Sequence, residues 1–183
     1  MILSKEEFKY LIEYQKDTSI LFVTGDIDED MSTKFCKEII KIENDSKNLK
    51  EFTLLIRLHT RGGDVTSSLK MYDCLKNIKI NTEIIIDGLV ASGGTIFMCG
   101  ADKVKINKNA YVMIHELFSG YFDRYSHLKN RSNYLDKLMN NILDIYNEKI
   151  KDSNKFITKE FLEKDVWLNA EEAHKLGLVD EII

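Results

Sequence analysis

The sequence predicts a single α/β domain of repeated β-α-β units with one protruding helix. Three observations lead there. Strand-sized apolar runs alternate with helix-spaced apolar patterns through the first half of the chain, glycine-rich turns fall where strands hand over to helices, and one amphipathic stretch is much longer than the others. With 183 residues the chain fills one well-packed domain, 1–183, and is short for two.

The elements follow in order. Met1 to Thr18 reads as a short N-terminal helical segment from the spacing of Phe8, Leu11 and Ile12. Ser19 to Thr24 is a continuous apolar run closed by Gly25-Asp26, a buried strand. Met31, Phe35, Ile39 and Ile40 recur near helical spacing, and a polar loop, Glu43 to Lys50, follows. Phe52 to His59 is the second strand, ending at Gly62-Gly63, and Val65 to Ile78 resumes a helical pattern. Thr82 to Ile86 is a third strand that breaks at Gly88. Strand, helix, strand, helix, strand describes right-handed crossovers in a largely parallel sheet. Val104 to Ile106 and Tyr111 to Ile114 are short strands. A long helix, about Ser126 to Lys151, then carries Leu128, Leu135, Leu138, Ile142, Ile145 and Tyr146 at spacings of three and four. Two short helical pieces and a final strand, Val179 to Ile183, end the chain.

Composition excludes several classes. No apolar run approaches the roughly 18 residues of a membrane span, and acidic residues stand at Glu6 and Glu7, where a signal peptide would be basic and then apolar. The protein is therefore expected in the cytoplasm, without a membrane partner. Net charge is −4, and the densest basic cluster, Arg124, His127, Lys129 and Arg131, is diluted by Asp123 and Asp136, which argues against nucleic acid. Cys36, Cys74 and Cys99 are far apart in sequence, with no Cys-x-x-Cys and no histidine at ligand spacing, so they read as reduced, mostly buried thiols in a reducing compartment. Proline is absent, and turns must rely on Gly, Asn and Asp.

Two turns carry the chemistry. In open α/β sheets, ligands sit beyond the carboxyl ends of the strands, where His59-Thr60-Arg61-Gly62-Gly63-Asp64 and Gly88-Leu89-Val90-Ala91-Ser92-Gly93-Gly94-Thr95 both fall. Ser92 opens an apolar helix and is placed to attack a carbonyl, with backbone amides of Gly63 and Gly93 as donors to the oxyanion. A serine at a helix start is also a common cap. Of the four histidines, only His115 follows an apolar strand and opens a glycine-containing loop, while His59 stands beside the glycine pair as a substrate-side or structural residue. Spacing alone does not choose the acid.

Four segments resemble the proteolytic subunit of the Clp protease (the ClpP family): Leu58-His59-Thr60-Arg61-Gly62-Gly63, Val90-Ala91-Ser92-Gly93-Gly94, Val112-Met113-Ile114-His115, and Asp165-Val166-Trp167-Leu168-Asn169-Ala170-Glu171-Glu172-Ala173 with Gly177-Leu178-Val179-Asp180. They occur in that family's order and near its spacing, from about Ile20 to the end. The resemblance implies the ClpP/crotonase fold, with residues of about 120–151 as a handle between rings. It implies a serine endopeptidase of unfolded polypeptides or short peptides, with Ser92 as nucleophile, His115 as base, Asp165 as the orienting acid and no cofactor. It further implies homo-oligomeric rings of seven, two of them stacked, fed by an AAA+ unfoldase. A catalytically silent ring subunit or scaffold of the same fold is the alternative.

The chain departs from that family at several positions. Arg61 and Leu117 stand where proline is usual, and Arg61 adds charge beside the expected substrate groove. Leu55 and Arg57 replace aromatic residues of the unfoldase docking pocket, so altered docking is expected, because a charged guanidinium suits an apolar pocket poorly.

Overall fold

A computed structural model describes residues 12–15, 18–46, 52–120, 122–152 and 155–183. The main path of its eight-stranded sheet runs β1-β2-β3-β4-β5-β8, with β6 pairing β4 and β7 pairing β6. The strands are β1 (Ile12–Gln15), β2 (Thr18–Thr24), β3 (Thr53–Thr60), β4 (Asn81–Ala91), β5 (Lys103–Ile106), β6 (Tyr111–Ile114), β7 (Val166–Asn169) and β8 (Glu181–Ile182). The helices are α1 (Glu29–Ser46), α2 (Val65–Asn77), α3 (Gly93–Met98), α4 (Tyr125–Ile150), α5 (Lys159–Leu162) and α6 (Ala170–Leu176). All strand pairings are parallel except β1 with β2 and β6 with β7.

The alternation of side chains sorts the strands into two faces. In β2 and β3, Leu21, Val23, Leu54, Ile56 and Leu58 are fully buried, and the helices supply Met31, Phe35, Ile39, Met71 and Phe97 to the same core. Phe35 and Phe97 meet edge to face, their ring centroids 4.9 Å apart. The opposite face is only half covered and carries charge. Arg57 forks onto Asp87 through Nε and Nη2, both at 2.6 Å, and Lys105 reaches Glu83 at 2.9 Å. A bidentate fork satisfies both ions at once. The guanidinium expected to intrude on an apolar pocket is therefore neutralised in place, and Asn107 Nδ2 adds a third bond to Asp87 Oδ1 at 2.6 Å.

Three local expectations are corrected. Ile12–Gln15, read as part of a helical segment, is a strand paired antiparallel with β2, and the remainder of 1–17 lies outside the described residues. Strand pairing there satisfies the N–H and C=O groups along β2, a long-range gain that helical spacing over so few residues does not outweigh. The third strand does not stop at Gly88. Leu58 pairs with Ile86 and Thr60 with Val90, so β4 carries two extra residues across that step. Gly88 absorbs them at φ +84°, and His59 Nδ1 donates to the Asp87 carbonyl at 2.7 Å. This bulge redirects β4, whose first part pairs β5 and whose last residues, Leu89 to Ala91, pair β6. Finally, Val166–Asn169 forms a strand where the sequence predicts only short helical pieces. Four residues give too short a period to detect, and their pairing with β6 is what makes them a strand.

The long helix begins and ends close to its expected limits. Its second half is anchored by Met139, Ile142, Ile145, Tyr146 and Ile150, whereas nearly all of its first half is exposed. Lys149, almost fully buried, donates to Asp180 Oδ2 at 2.6 Å, and that same oxygen accepts the Val104 amide at 2.7 Å. The pair ties α4 to the C-terminal segment. Asp180→Ala leaves a buried ammonium without its counter-ion and is expected to cost about 3 kcal/mol. Lys149→Met leaves a carboxylate that water and the Val104 amide still reach, and is expected to cost clearly less. Urea denaturation of both variants measures the difference.

Candidate active site

Ser92 stands at the junction that the bulge in β4 creates. Strand β4 ends at Ala91, and Ser92 turns the chain into α3 with φ 52° and ψ −127°, a left-handed conformation rare outside glycine. Such a conformation costs of order 1–3 kcal/mol and persists only where its surroundings enforce it. The Ser92 amide donates to the Met113 carbonyl at 2.8 Å, and its carbonyl accepts from the Thr95 amide at 2.9 Å and Thr95 Oγ1 at 2.6 Å. Thr95 Oγ1 also lies 2.6 Å from the Tyr146 hydroxyl. Its single proton goes to the Ser92 carbonyl, which can only accept, so Tyr146 donates to Thr95. Burial pushes the Tyr146 hydroxyl far above its usual pKa, which keeps it a donor. A buried chain of hydrogen bonds thus runs from the base of α4 to the serine turn.

Two glycine turns meet behind Ser92. A Cβ on Gly62 would lie 2.6 Å from the Ala91 carbonyl and 2.7 Å from Ser92 Cβ, so only glycine lets the β3 turn pack against the β4 turn. A Cβ on Gly93 would collide with Ser68 Oγ. Ile27 bridges this turn in parallel fashion, donating to the Gly62 carbonyl and accepting from the Asp64 amide, both at 2.8 Å. In a parallel bridge the central residue's own N–H and C=O face the other way. Gly63 therefore turns its peptide groups away from Ile27, and it lines the cleft with Gly93.

His115 is carried in from the other side by β6. Its Nε2 is 2.8 Å from Ser92 Oγ. The Glu116 amide donates to the Leu162 carbonyl at 2.9 Å and fixes the chain just beyond it. Antiparallel pairing of Ile114 with Val166 places Asp165 beside His115, one step past the last registered pair. Cross-strand neighbours have Cβ atoms about 4.5–5.5 Å apart, within reach of a short carboxylate. Asp165 is nevertheless exposed and, among the described residues, makes no hydrogen bond to His115. The serine, the histidine and both glycines are brought together; the aspartate is adjacent and unengaged.

The remaining histidines are accounted for. His59 holds the β4 bulge, His127 sits 3.1 Å from Asp123 at the exposed start of α4, and His174 is exposed on α6. The cleft over Ser92 has a volume of about 320 Å³, with Val65, Ile96, Leu117, Ile142 and Tyr146 as its apolar walls. Tyr146 is the site residue that sequence reasoning missed. The sequence shows it only as one apolar position of the long helix, and nothing in the spacing shows that its hydroxyl meets Thr95. Among the described residues no cluster of three His, Cys, Asp or Glu side chains could hold a metal ion, and no helix is long and apolar enough to cross a membrane.

Fold and site together define an α/β protein with a serine–histidine pair presented at the ends of parallel strands. The chain belongs to the Clp protease family, whose model matches residues 4–183. It is 26% identical over 166 residues to the ATP-dependent Clp protease proteolytic subunit of Borrelia garinii subsp. bavariensis, covering 90% of this chain and 84% of that one. Its fold matches that of a ClpP1 mutant from Listeria monocytogenes with a TM-score of 0.76, at 21% identity and over 90% of each chain.

The fit between Gly93 and Ser68 is directly testable. Gly93→Ala is expected to lose about 1–3 kcal/mol through overpacking. Adding Ser68→Ala, which removes the colliding hydroxyl, is expected to restore part of that loss. A double-mutant cycle on thermal melting measures the coupling, and strictly additive effects would contradict the packing described.

Proposed function

We propose that the chain is a serine endopeptidase of the ClpP type, acting on unfolded polypeptides or short peptides. The observation that carries this reading is the 2.8 Å hydrogen bond between Ser92 Oγ and His115 Nε2 at a strained strand-to-helix turn. A hydroxyl is a weak nucleophile until a positioned base takes its proton. In the proposed reaction Ser92 Oγ attacks the scissile carbonyl, and His115 accepts the Ser92 proton and passes it to the leaving amine. The amides of Gly63 and Gly93 meet the oxyanion as it forms, and water then releases the acyl group by the same proton path. The apolar cleft walls exclude water and favour apolar side chains next to the cut bond.

Asp165 is the orienting acid in this reading. From its place beside His115 it needs only a local adjustment of β7 or its own rotamer to accept the Nδ1 proton. Hydrogen bonds of unliganded sites commonly tighten only on binding or assembly. Assembly fits the surface: Phe118, Phe122, Tyr125 and Tyr134 are exposed before and along the first half of α4, and apolar side chains left open in one region favour an interaction surface there. We take its partners to be further copies of the chain, in rings of seven, with residues of about 120–151 as the handle between two stacked rings and 1–183 as one domain. A Clp-type ATPase would supply substrate in the cytoplasm, with docking altered because Arg57 and Asp87 form an ion pair on the half-covered face of the sheet. The unengaged Asp165 supports a second reading, a silent ring subunit.

Fluorophosphonate labelling of the assembled protein separates the two. An active peptidase is expected to label, Ser92→Ala to abolish labelling, and Asp165→Asn to slow it by about 10²-fold or more. An assembled ring that does not label is the silent subunit. Pull-down with a Clp ATPase tests the partner, and binding as tight as that of a ClpP with aromatic residues at the Leu55 and Arg57 positions would remove the claim of altered docking.

A further inference from the structure

Two of the three cysteines come together between α1 and α2, and neither lines the cleft. Cys36 is on α1 and Cys74 on α2, and α1 is clasped both to α2 and to the segment just past its end. Lys70 Nζ donates to Thr33 Oγ1 at 2.7 Å, and the Lys79 amide donates to Glu43 Oε1 at 2.8 Å. Both clasps join a residue of α1 to one about 36 or 37 positions later, so the register between them sets Cys36 opposite Asp73 and Cys74. The sulfur contact agrees. Cys36 Sγ donates to the Lys70 carbonyl at 3.8 Å, the group that accepts the Cys74 amide within α2, which brings the two thiols within reach of each other.

Neither thiol is sealed. Both are partly exposed, and Cys74 lines a groove of about 290 Å³ between α1 and α2, together with Ile39, Glu43, Lys70 and Ile78. Cys99 is the internal contrast: it is buried at the C-terminal end of α3, and burial pushes its thiol up to about 12.

We propose that Cys36 and Cys74 form a peroxide-sensitive dithiol that closes to a disulfide joining α1 to α2. This stands independently of the peptidase reading, since neither sulfur touches the cleft. The Cys36 thiolate attacks the peroxide O–O bond, takes up one oxygen as a sulfenic acid and releases hydroxide, which is protonated to water. The Cys74 sulfur then attacks the Cys36 sulfur, the S–O bond breaks, and a second water leaves as the S–S bond forms. Peroxide is reduced, and the two thiols are oxidised by two electrons in total.

The surroundings favour Cys36 as the attacking sulfur. The Cys74 thiol donates to it, and the Lys70 ammonium lies near, so its pKa is lowered to about 7 despite partial burial. Cys74 is held up first by its interaction with the Cys36 sulfur, then by burial, the Cys36 charge and Glu43, with Lys70 opposing, which keeps it the protonated partner.

The test uses the full chain under native conditions. It is treated with a small excess of hydrogen peroxide, then denatured in N-ethylmaleimide and examined by intact mass and peptide mapping. The expected result is the loss of two of the three alkylatable thiols and a Cys36–Cys74 cross-linked peptide that disappears on reduction. Cys74→Ser is expected to leave a Cys36 sulfenic acid that dimedone traps, whereas Cys36→Ser is expected to leave Cys74 unoxidised. In the untreated native protein, Cys36 should alkylate about ten-fold or more faster than Cys99. Oxidation of Cys36 to sulfinic acid without a cross-link, preferential oxidation of Cys99, or retention of all three thiols would each overturn the proposal. Far-UV circular dichroism of the serine variants separates a misfolded chain from a missing reaction.

Discussion

The close approach of the two strand-end turns governs the rest of the site. Gly62 lies against Ala91 and Ser92 at distances that no side chain could share, so the β3 and β4 turns fit together as one surface. That contact depends on both turns being aimed correctly. The β3 turn is set by Ile27, which bridges Gly63, and by Thr60 Oγ1, which donates to the Gly25 carbonyl and accepts the Gly62 amide. The β4 turn is aimed by the bulge at Gly88, which swings the strand end toward β6. Without the bulge β4 would run on beside β5, and β6 could not bring His115 to Ser92. An irregularity in backbone pairing thus sets up the one side-chain hydrogen bond that carries the chemical reading.

Strain at Ser92 is affordable because the interior there is over-determined. Its carbonyl is held twice by Thr95, Thr95 is held by Tyr146, and Tyr146 belongs to the buried half of α4. That half is tied down again through Lys149 and Asp180. Among the described residues the first half of α4 is mostly exposed, with Lys159 of α5 4.0 Å from Asp136. A force on it is transmitted through a rigid helix to Tyr146, one hydrogen-bonded side chain away from the serine turn. In the assembly proposed, cover over the exposed half would act on the site through this helix.

Much of this was legible in the sequence, for identifiable reasons. The buried strands β2 and β3 are continuous apolar runs with glycine at their ends, and α1, α2 and α4 are long enough for their period to show. Ser92, His115 and the two glycines fall at strand ends, where topology alone gathers ligands. What escaped depends on distant partners. Val166–Asn169 is a strand because β6 lies beside it, Ile12–Gln15 because β2 does, and β4 passes Gly88 because two extra residues fit a bulge that no local pattern announces. The Tyr146 hydroxyl is of the same kind: its helical position was readable, and its partner fifty-one residues earlier was not.

Asp165 shows where pairing and chemistry part company. Its position is fixed by register, because Ile114 opposite Val166 leaves His115 opposite Asp165. Its engagement is not fixed by register, because a carboxylate beside an imidazole can turn to water instead, and this one is exposed. The hydration it gives up on turning inward must be matched by the bond to His115, and that balance shifts toward the bond once the surrounding surface is covered and water is excluded. The backbone thus sets the distance between the acid and the imidazole, while burial of the neighbouring surface decides whether they pair.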